Sequence, residues 1–391
     1  MIFVGIDIAK DKHDCYIFSS EGILISDNLR IKNTVEGFNT LHSIISSNCQ
    51  DPDNVRIGFE STGHYTINLE HFLRTKGYNN ITVFNPLAVA SFKKSKTLRK
   101  TKTDKVDAKL IASLLFSSDQ TPTSQVSNEI RELKSLTRHR YRLIRQCSKL
   151  KISISRLLTI LFPELETLVW SIHQKSSYSL LLELPNAKEV SKCHLNKLTV
   201  LLSKSSKGKY GKDKASAIKN LALKSVGVCC KASSFELQQT IRLINYYQKE
   251  IALLDFKIKE FIDEINTPLM SIPGISYTLA SIILSEIGDI HRFTSSSKLI
   301  AFAGLEPSVY QSGKFSATKT SMVKRGSIYL RYALMQAARL VSMRELTFKK
   351  FQKKKLSEGK HFFVASSHTS KKLLRVIFHL LKNDIKFITQ S

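Results

Sequence analysis

Acidic side chains are scarce in this chain: 32 Asp and Glu stand against 60 Lys and Arg in 391 residues, a formal net charge of +28. Such a field repels cationic partners and draws in polyanions at a salt-dependent rate, so nucleic acid is the expected partner. No lipidation motif supports a membrane-surface reading. Long apolar runs are also missing. The N-terminal one, MIFVGIDIA, meets Asp7 and then Lys10, Asp11 and Lys12, and is too short for a signal peptide or a membrane span. Cysteine is sparse and unpatterned. Cys15, Cys49, Cys147, Cys193, Cys229 and Cys230 form no CxxC pair and no Cys/His zinc spacing. The adjacent Cys229 and Cys230 do not suit a disulfide with each other, so reduced thiols of a cytosolic protein are expected.

Against this shortage, four acids in the first 107 residues stand out. Asp7 lies in MIFVGIDIAKDK, Glu60 in VRIGFESTGHY, and Asp104 and Asp107 in KTDKVDAKLIA. The first two fall on expected strands, where an isolated buried carboxylate is costly. The other two share a helix face at i,i+3. Singly, Asp107 can be a helix-face charge and Glu60 a lysine's partner. Together they would repel one another unless cations neutralised them, and an all-oxygen set suits magnesium or manganese acting on a phosphodiester. Asp11 and Asp14 are expected at the exposed start of the first hairpin. His64 and Tyr65 are open to either a structural or a substrate-contacting role.

Patterning divides the chain into four. Residues 1–120 read as a strand, a hairpin around Glu21-Gly22, a helix capped by Asn33 or Thr34, a strand, a helix closed by Gly77 and another strand. That order suits a mixed sheet flanked by helices, the layout of a ribonuclease-H-like α/β fold. A basic connector follows, with Lys93, Lys94, Lys96, Arg99, Lys100 and Lys102 as candidate phosphate contacts. Residues 121–265 carry two heptad runs, Leu136 to Leu157 and Leu237 to Ile258, and predict long coiled-coil helices paired within the chain or between subunits. Arg140 interrupts the first run, and Pro163 ends it. Between them, SKSSKGKYGKDKAS is expected to be an exposed loop or insertion. Residues 266–345 read as a helical C-terminal domain. Its Pro273-Gly274 turn resembles a helix-hairpin-helix, whose first amides can hold a phosphate. Residues 346–391 read as a basic tail with a terminal helix.

Ser312, in YQSGK, is on its own an ordinary turn serine. Its setting is less ordinary. Gly313 lets the backbone approach a ligand, and Lys314, Lys319, Lys324, Arg325 and Arg331 can clamp a phosphate. A serine nucleophile needs a base or a metal, and the nearest acid is Glu306.

These motifs together resemble the DEDD transposases of the insertion-sequence one-ten family. GIDIAKDKHD, GFESTGHY, NPLAVASFKKS and KTDKVDAKLIA are similar to its RuvC-like domain. IPGIS, KLIAFAGLEPSVYQSGK, KRGSIYLRYALMQAAR and HTSKKLLRVIFHLL are similar to its second domain, which holds a catalytic serine. Residues 165–235 carry little of the likeness. The family quartet falls on Asp7, Glu60, Asp104 and Asp107, and the serine on Ser312. Many relatives have two serines before two glycines, where this chain has Gln311-Ser312-Gly313-Lys314, so Ser316 and Ser321 stand as alternatives.

The resemblance implies a transposase that recombines double-stranded donor and target DNA through a phosphoserine-type intermediate. Mg2+ or Mn2+ on the quartet would assist, in a composite centre formed across subunits. It also implies a structured non-coding guide, or bridge, RNA that supplies specificity by base pairing, a dimeric or tetrameric assembly, and a cytoplasmic, nucleoid-associated protein with no membrane partner. Two other readings compete. One is a RuvC-like structure-specific endonuclease using water as nucleophile. The other is a non-catalytic nucleic-acid-binding remnant, against which the intact quartet argues.

Overall fold

The computed structural model describes the chain except residues 62, 97–102, 118–121, 124–125, 309–310, 313–314, 317–320 and 390–391, and gives backbone alone for 311, 312, 315 and 316. The chain folds as two compact units, 1–125 and 126–391.

The first unit is a five-stranded mixed sheet with helices. In chain order it contains β1 (Ile2–Ile8), β2 (Lys12–Ser19), β3 (Leu24–Lys32), α1 (Val35–Asn48), β4 (Val55–Glu60), α2 (Thr66–Thr75), β5 (Ile81–Phe84), α3 (Pro86–Lys96) and α4 (Asp104–Ser117). The strand order is β3-β2-β1-β4-β5, with β1–β2–β3 antiparallel and β1–β4–β5 parallel. This arrangement is consistent with the expected ribonuclease-H-like domain. Alternation along β1 assigns its two faces. Ile2, Val4, Ile6 and Ile8 join Phe38, Leu41 and Ile45 of α1 and Leu69 and Leu73 of α2 in one core. Phe3 points the other way, onto Ile111, Leu114 and Leu115 of α4. Thr34 caps α1, its hydroxyl accepting from the Gly37 N–H, and Gly77 takes a positive φ of 90° just past α2.

Gly5 and Gly58 are direct partners in the parallel β1–β4 ladder. A Cβ at Gly5 would stand 2.3 Å from the Ala112 nitrogen and 2.4 Å from the Ala108 oxygen, and one at Gly58 would stand 3.3 Å from Leu115. Gly5 is therefore a bare seat on which the backbone of α4 rests, and Gly58 beside it leaves room for the side chains of Phe84 and Leu115.

The second unit is helical. It opens with α5 (Asn128–Leu161), followed by the short α6 (Leu165–Leu168), α7 (Lys175–Glu183), α8 (Ala187–Lys192), α9 (Leu195–Ser206) and α10 (Lys212–Leu223), then the long α11 (Lys231–Ile265). After these come α12 (Tyr277–Ile287), α13 (Ser296–Phe302), the small hairpin β6 (Gln311–Ser312) and β7 (Phe315–Ser316), α14 (Ile328–Arg344), α15 (Leu346–Ser357) and α16 (Phe362–Asn383). The two heptad helices, α5 and α11, pair within the chain and run antiparallel. Leu133 shares a core with Ile258 and Ile262, and Ile154 to Leu161 share another with Leu237, Ile241 and Ile244. Arg140, the residue that breaks the heptad, forks onto Asp255 of α11 at 2.6 and 3.2 Å. A polar pair at such a position fixes register.

Two expectations need correction. The stretch SKSSKGKYGKDKAS is mostly helix, the end of α9 and the start of α10, with only residues 207–211 between them. Leu198, Leu202, Ala215, Ile218 and Ala222 are buried at helical spacing, a pattern masked by the intervening lysines. The segment from 346, expected as a basic tail with a terminal helix, has that helix as α16 but is packed into the fold rather than trailing from it. Phe348, Leu373, Leu374, Ile377 and Leu380 are buried in the same core as α12 and α14. Among the described residues, no helix is long and apolar enough to cross a membrane.

Candidate functional site

Asp7 is the sixth residue of β1, two residues along from Gly5 and so on the α4 face of the sheet. Its carboxyl is pushed up to about 6, first by burial and then by repulsion from Asp107, Asp104, Glu60 and Asp14. All three other quartet acids thus act on Asp7. Glu60 closes β4, one residue past the last β1–β4 pair, Ile6↔Phe59. Asp104 and Asp107 lie in the first turn of α4, which the glycine seat brings down against β1. Lysines attend the helix acids: Lys93 Nζ donates to Asp107 Oδ1 at 2.5 Å, and Lys12 Nζ lies 3.9 Å from Asp104 Oδ2. Among the described residues, no three or more His, Cys, Asp or Glu side chains stand close enough to hold a metal ion as they are. The donor set itself, carboxylates only, is of the kind that hard divalent cations take.

A fifth acid belongs to this neighbourhood. Asp14 is the cross-strand partner of Asp7. It is buried rather than exposed, with Arg30 Nε donating to its Oδ1 at 2.9 Å; only Asp11 is exposed as expected. The alternation of β2 explains the difference, since Asp14 shares the sheet face with Asp7.

Ser312 sits on the backbone of the small β6–β7 hairpin, where it pairs with Phe315. The hairpin has a firm stem. Ser308 N donates to Ser321 O at 2.8 Å, Val323 N to Glu306 O at 3.0 Å, and Pro307 bridges to Met322. The side chains of Ser312 and Ser316, and all of Gly313, Lys314, Lys319, Arg99, Lys100 and Lys102, lie outside the described residues.

Comparison with known proteins bears on both regions. A family model for DEDD transposases of IS110 matches residues 4–163, and one described as Transposase IS116/IS110/IS902 family matches residues 266–353. The chain belongs to the IS110 family of transposases. Full-length likeness extends to the pilin gene-inverting protein of Moraxella bovis, 25% identical over 98% of this chain and 97% of that one. A shorter match, 32% identical, joins 25% of this chain to 29% of the transposase for insertion sequence element IS1111A of Coxiella burnetii. The transposase for IS1328 of Yersinia enterocolitica is 34% identical over 25% of this chain and 30% of its own. As an IS110-family transposase, the protein acts on DNA.

Within this transposase the other expected contacts have mixed settings. Lys93, Lys94 and Lys96 are on the last turn of α3, not in a connector, and Lys96 lies 5.4 Å over the Phe92 ring. Lys324 and Arg325 are exposed beside the hairpin stem. Arg331 is tied inward, its Nη1 donating to Ala303 O and Lys324 O, both at 3.2 Å. Gly274 has φ of 100°, and a Cβ there would stand 2.9 Å from the Leu340–Val341 backbone of α14, so packing already explains this glycine. The His64 and Tyr65 rings touch at a 45° tilt with centroids 4.2 Å apart.

The sequence reading missed Glu286. It is 1% exposed on α12. Arg138 forks onto it at 2.6 and 3.0 Å, and Ser327 Oγ, the N-cap of α14, donates to it at 2.8 Å. Burial alone would raise its carboxyl, but Arg138, Lys134 and Ser327 outweigh that and hold it below the usual range. This cluster fixes the start of α14, where the chain emerges from the Ser312 hairpin. The available signal was a lone acid in an otherwise apolar helix.

Proposed function

We propose that this IS110-family transposase cleaves and exchanges double-stranded DNA through a transient phosphoserine on Ser312, supported by magnesium or manganese held by Asp7, Glu60, Asp104 and Asp107. A structured guide RNA would select the sites, and two or four copies would act together. The observation that carries the reading is the Asp7 carboxyl, raised to about 6 by burial and by four acids, three of them the rest of the quartet. Carboxylates gathered in this way call for a counter-charge. A bound divalent cation would supply Lewis acidity and charge neutralisation at a phosphate.

The chain's own residues would do the rest. The Ser312 oxygen would bond to a phosphorus as one sugar oxygen leaves and takes up a proton. A hydroxyl of the incoming strand would then displace Ser312, which regains its proton. Bonds are conserved, so no nucleotide cofactor is consumed. Lys94, Lys324 and Arg325 would contact phosphates without reading bases. The matched proteins' names, transposases and a gene-inverting protein, describe rearrangement of DNA and support the reading.

The test is covalent trapping of labelled donor and target DNA on a denaturing gel, with magnesium and RNA transcribed from the candidate non-coding sequence flanking the gene. A protein–DNA adduct lost in both Ser312→Ala and Asp7→Ala is expected. Cleavage without an adduct, kept in Ser312→Ala but lost in Asp7→Ala, would make the protein a nuclease that uses water.

A further inference from the structure

The chain has a single tryptophan, and it is on the outside. Trp170 is 94% exposed, more than any other large apolar side chain among the described residues. It lies in the segment joining α6 to α7, between the two stretches that match family models. The indole does not hang from a loose loop. Val169 and Ile172 on either side are 7% and 5% exposed and belong to the core. The Trp170 backbone N–H donates to the Tyr210 hydroxyl at 3.5 Å, and Gln174 Nε2 donates to that same hydroxyl at 2.7 Å. Tyr210 therefore fastens the 207–211 turn beside the tryptophan.

That turn is basic. Lys207, Lys209 and Lys212 are exposed, and Lys214 Nζ lies 5.7 Å over the Tyr210 ring. One acid, Asp213, stands among them. Residues 165–230 hold eleven lysines, four acids and no arginine. An exposed aromatic plane tied through Tyr210 to a lysine-rich turn combines the two elements of a platform for single strands: stacking for a base and point charges for phosphates. Without arginine there is no fork to read a base edge, so binding would tolerate sequence. A base inside a duplex has no free face to offer.

We propose that an unpaired nucleic-acid strand docks here, one base stacked on Trp170 and its flanking phosphates on Lys207, Lys209 and Lys212. The assignment is independent of Ser312 and of the quartet.

Because there is one tryptophan, its emission reports this site alone. Full-length protein would be titrated with an unstructured thymidine oligonucleotide, the matching uridine oligonucleotide and a blunt duplex. Saturable quenching by at least one single strand, and none by the duplex, is expected; comparing the two single strands tells DNA from RNA. With a labelled single strand, Trp170→Ala should weaken binding roughly tenfold and Trp170→Phe should restore most of it. Changing Lys207, Lys209 and Lys212 to Gln should lower the salt slope by about 2. Quenching by duplex equal to that by single strands would overturn the proposal, as would absence of quenching or unchanged affinity in Trp170→Ala. A changed oligomeric state in Trp170→Ala, with strand binding intact, would assign the ring to a protein contact instead.

Discussion

Asp7 in the first unit and Glu286 in the second are both carboxylates withdrawn from water, yet their environments push them in opposite directions. Glu286 is the more deeply buried and the more acidic, because the Arg138 fork, Lys134 and the Ser327 hydroxyl meet its charge. Asp7 is half-buried and far less acidic, because its neighbours are Asp107, Asp104, Glu60 and Asp14. Neighbours, not depth, decide the sign. The Glu286 cluster is electrostatically complete within the fold. In the Asp7 cluster Lys93 meets Asp107, Lys12 approaches Asp104 and Arg30 meets Asp14, yet burial and the surrounding acids still raise Asp7 itself.

Three changes would break or sharpen that contrast. The largest effect is expected from Glu286→Ala, which strands the Arg138 charge and frees the N-cap of α14. Urea unfolding should show a loss of about 3–5 kcal/mol, and Glu286→Gln, which keeps hydrogen-bonding capacity, should lose less. A loss below about 1 kcal/mol would show that the cluster behaves as a surface pair. Next is Gly5→Ala. Its Cβ would lie 2.3 Å from the Ala112 nitrogen, so α4 must lift off β1 at about 1–3 kcal/mol. Manganese is expected to raise the melting temperature of the wild type, and this variant should lose much of that gain; an unchanged response would separate the glycine seat from the acids.

The smallest effect is on stability in Asp7→Asn. Raising the folded pKa of an acid above its unfolded value of 3.8 means that ionising Asp7 costs the folded state. That cost is present above a pH of about 6 and fades as pH falls towards about 4. Metal-free Asp7→Asn should therefore be slightly more stable than wild type at neutral pH and equal to it in mild acid. Protons and cations compete for Asp7, so manganese affinity, measured by calorimetry, should weaken below a pH of about 6. A pH-independent affinity would remove Asp7 from the cation's ligands.

Much of this was legible in the sequence, for identifiable reasons. Short apolar runs with turn residues gave the strands and the hairpin, Thr34 is one of the two residues expected to cap α1, and seven-residue spacing gave α5 and α11. The segments that failed were those where one signal hid another. Lysines and serines in SKSSKGKYGKDKAS disguised the end of α9 and the start of α10 as a loop, and the basic run at 349–355 disguised α15 as a tail. Asp14 was misjudged because its alternation within β2 was read after its neighbour Asp11. Arg140 looked like a flaw in a heptad until Asp255 was seen opposite. Glu286 stayed invisible because its partners, Arg138 and Ser327, are distant in sequence; such convergence is a property of the tertiary fold.

The pairing of α5 with α11 also sets a length scale. Each begins in one apolar core of the second unit and ends in the other, so the pair is a stiff strut between them. A helix the length of α5, 34 residues, spans about 50 Å. Trp170 lies near one end and the Ser312 hairpin near the other. Any single nucleic-acid ligand that engages both ends must bridge that distance, which stacked bases cover in about 15 steps. The strut would act as a ruler, and a ligand much shorter than this can satisfy only one end at a time.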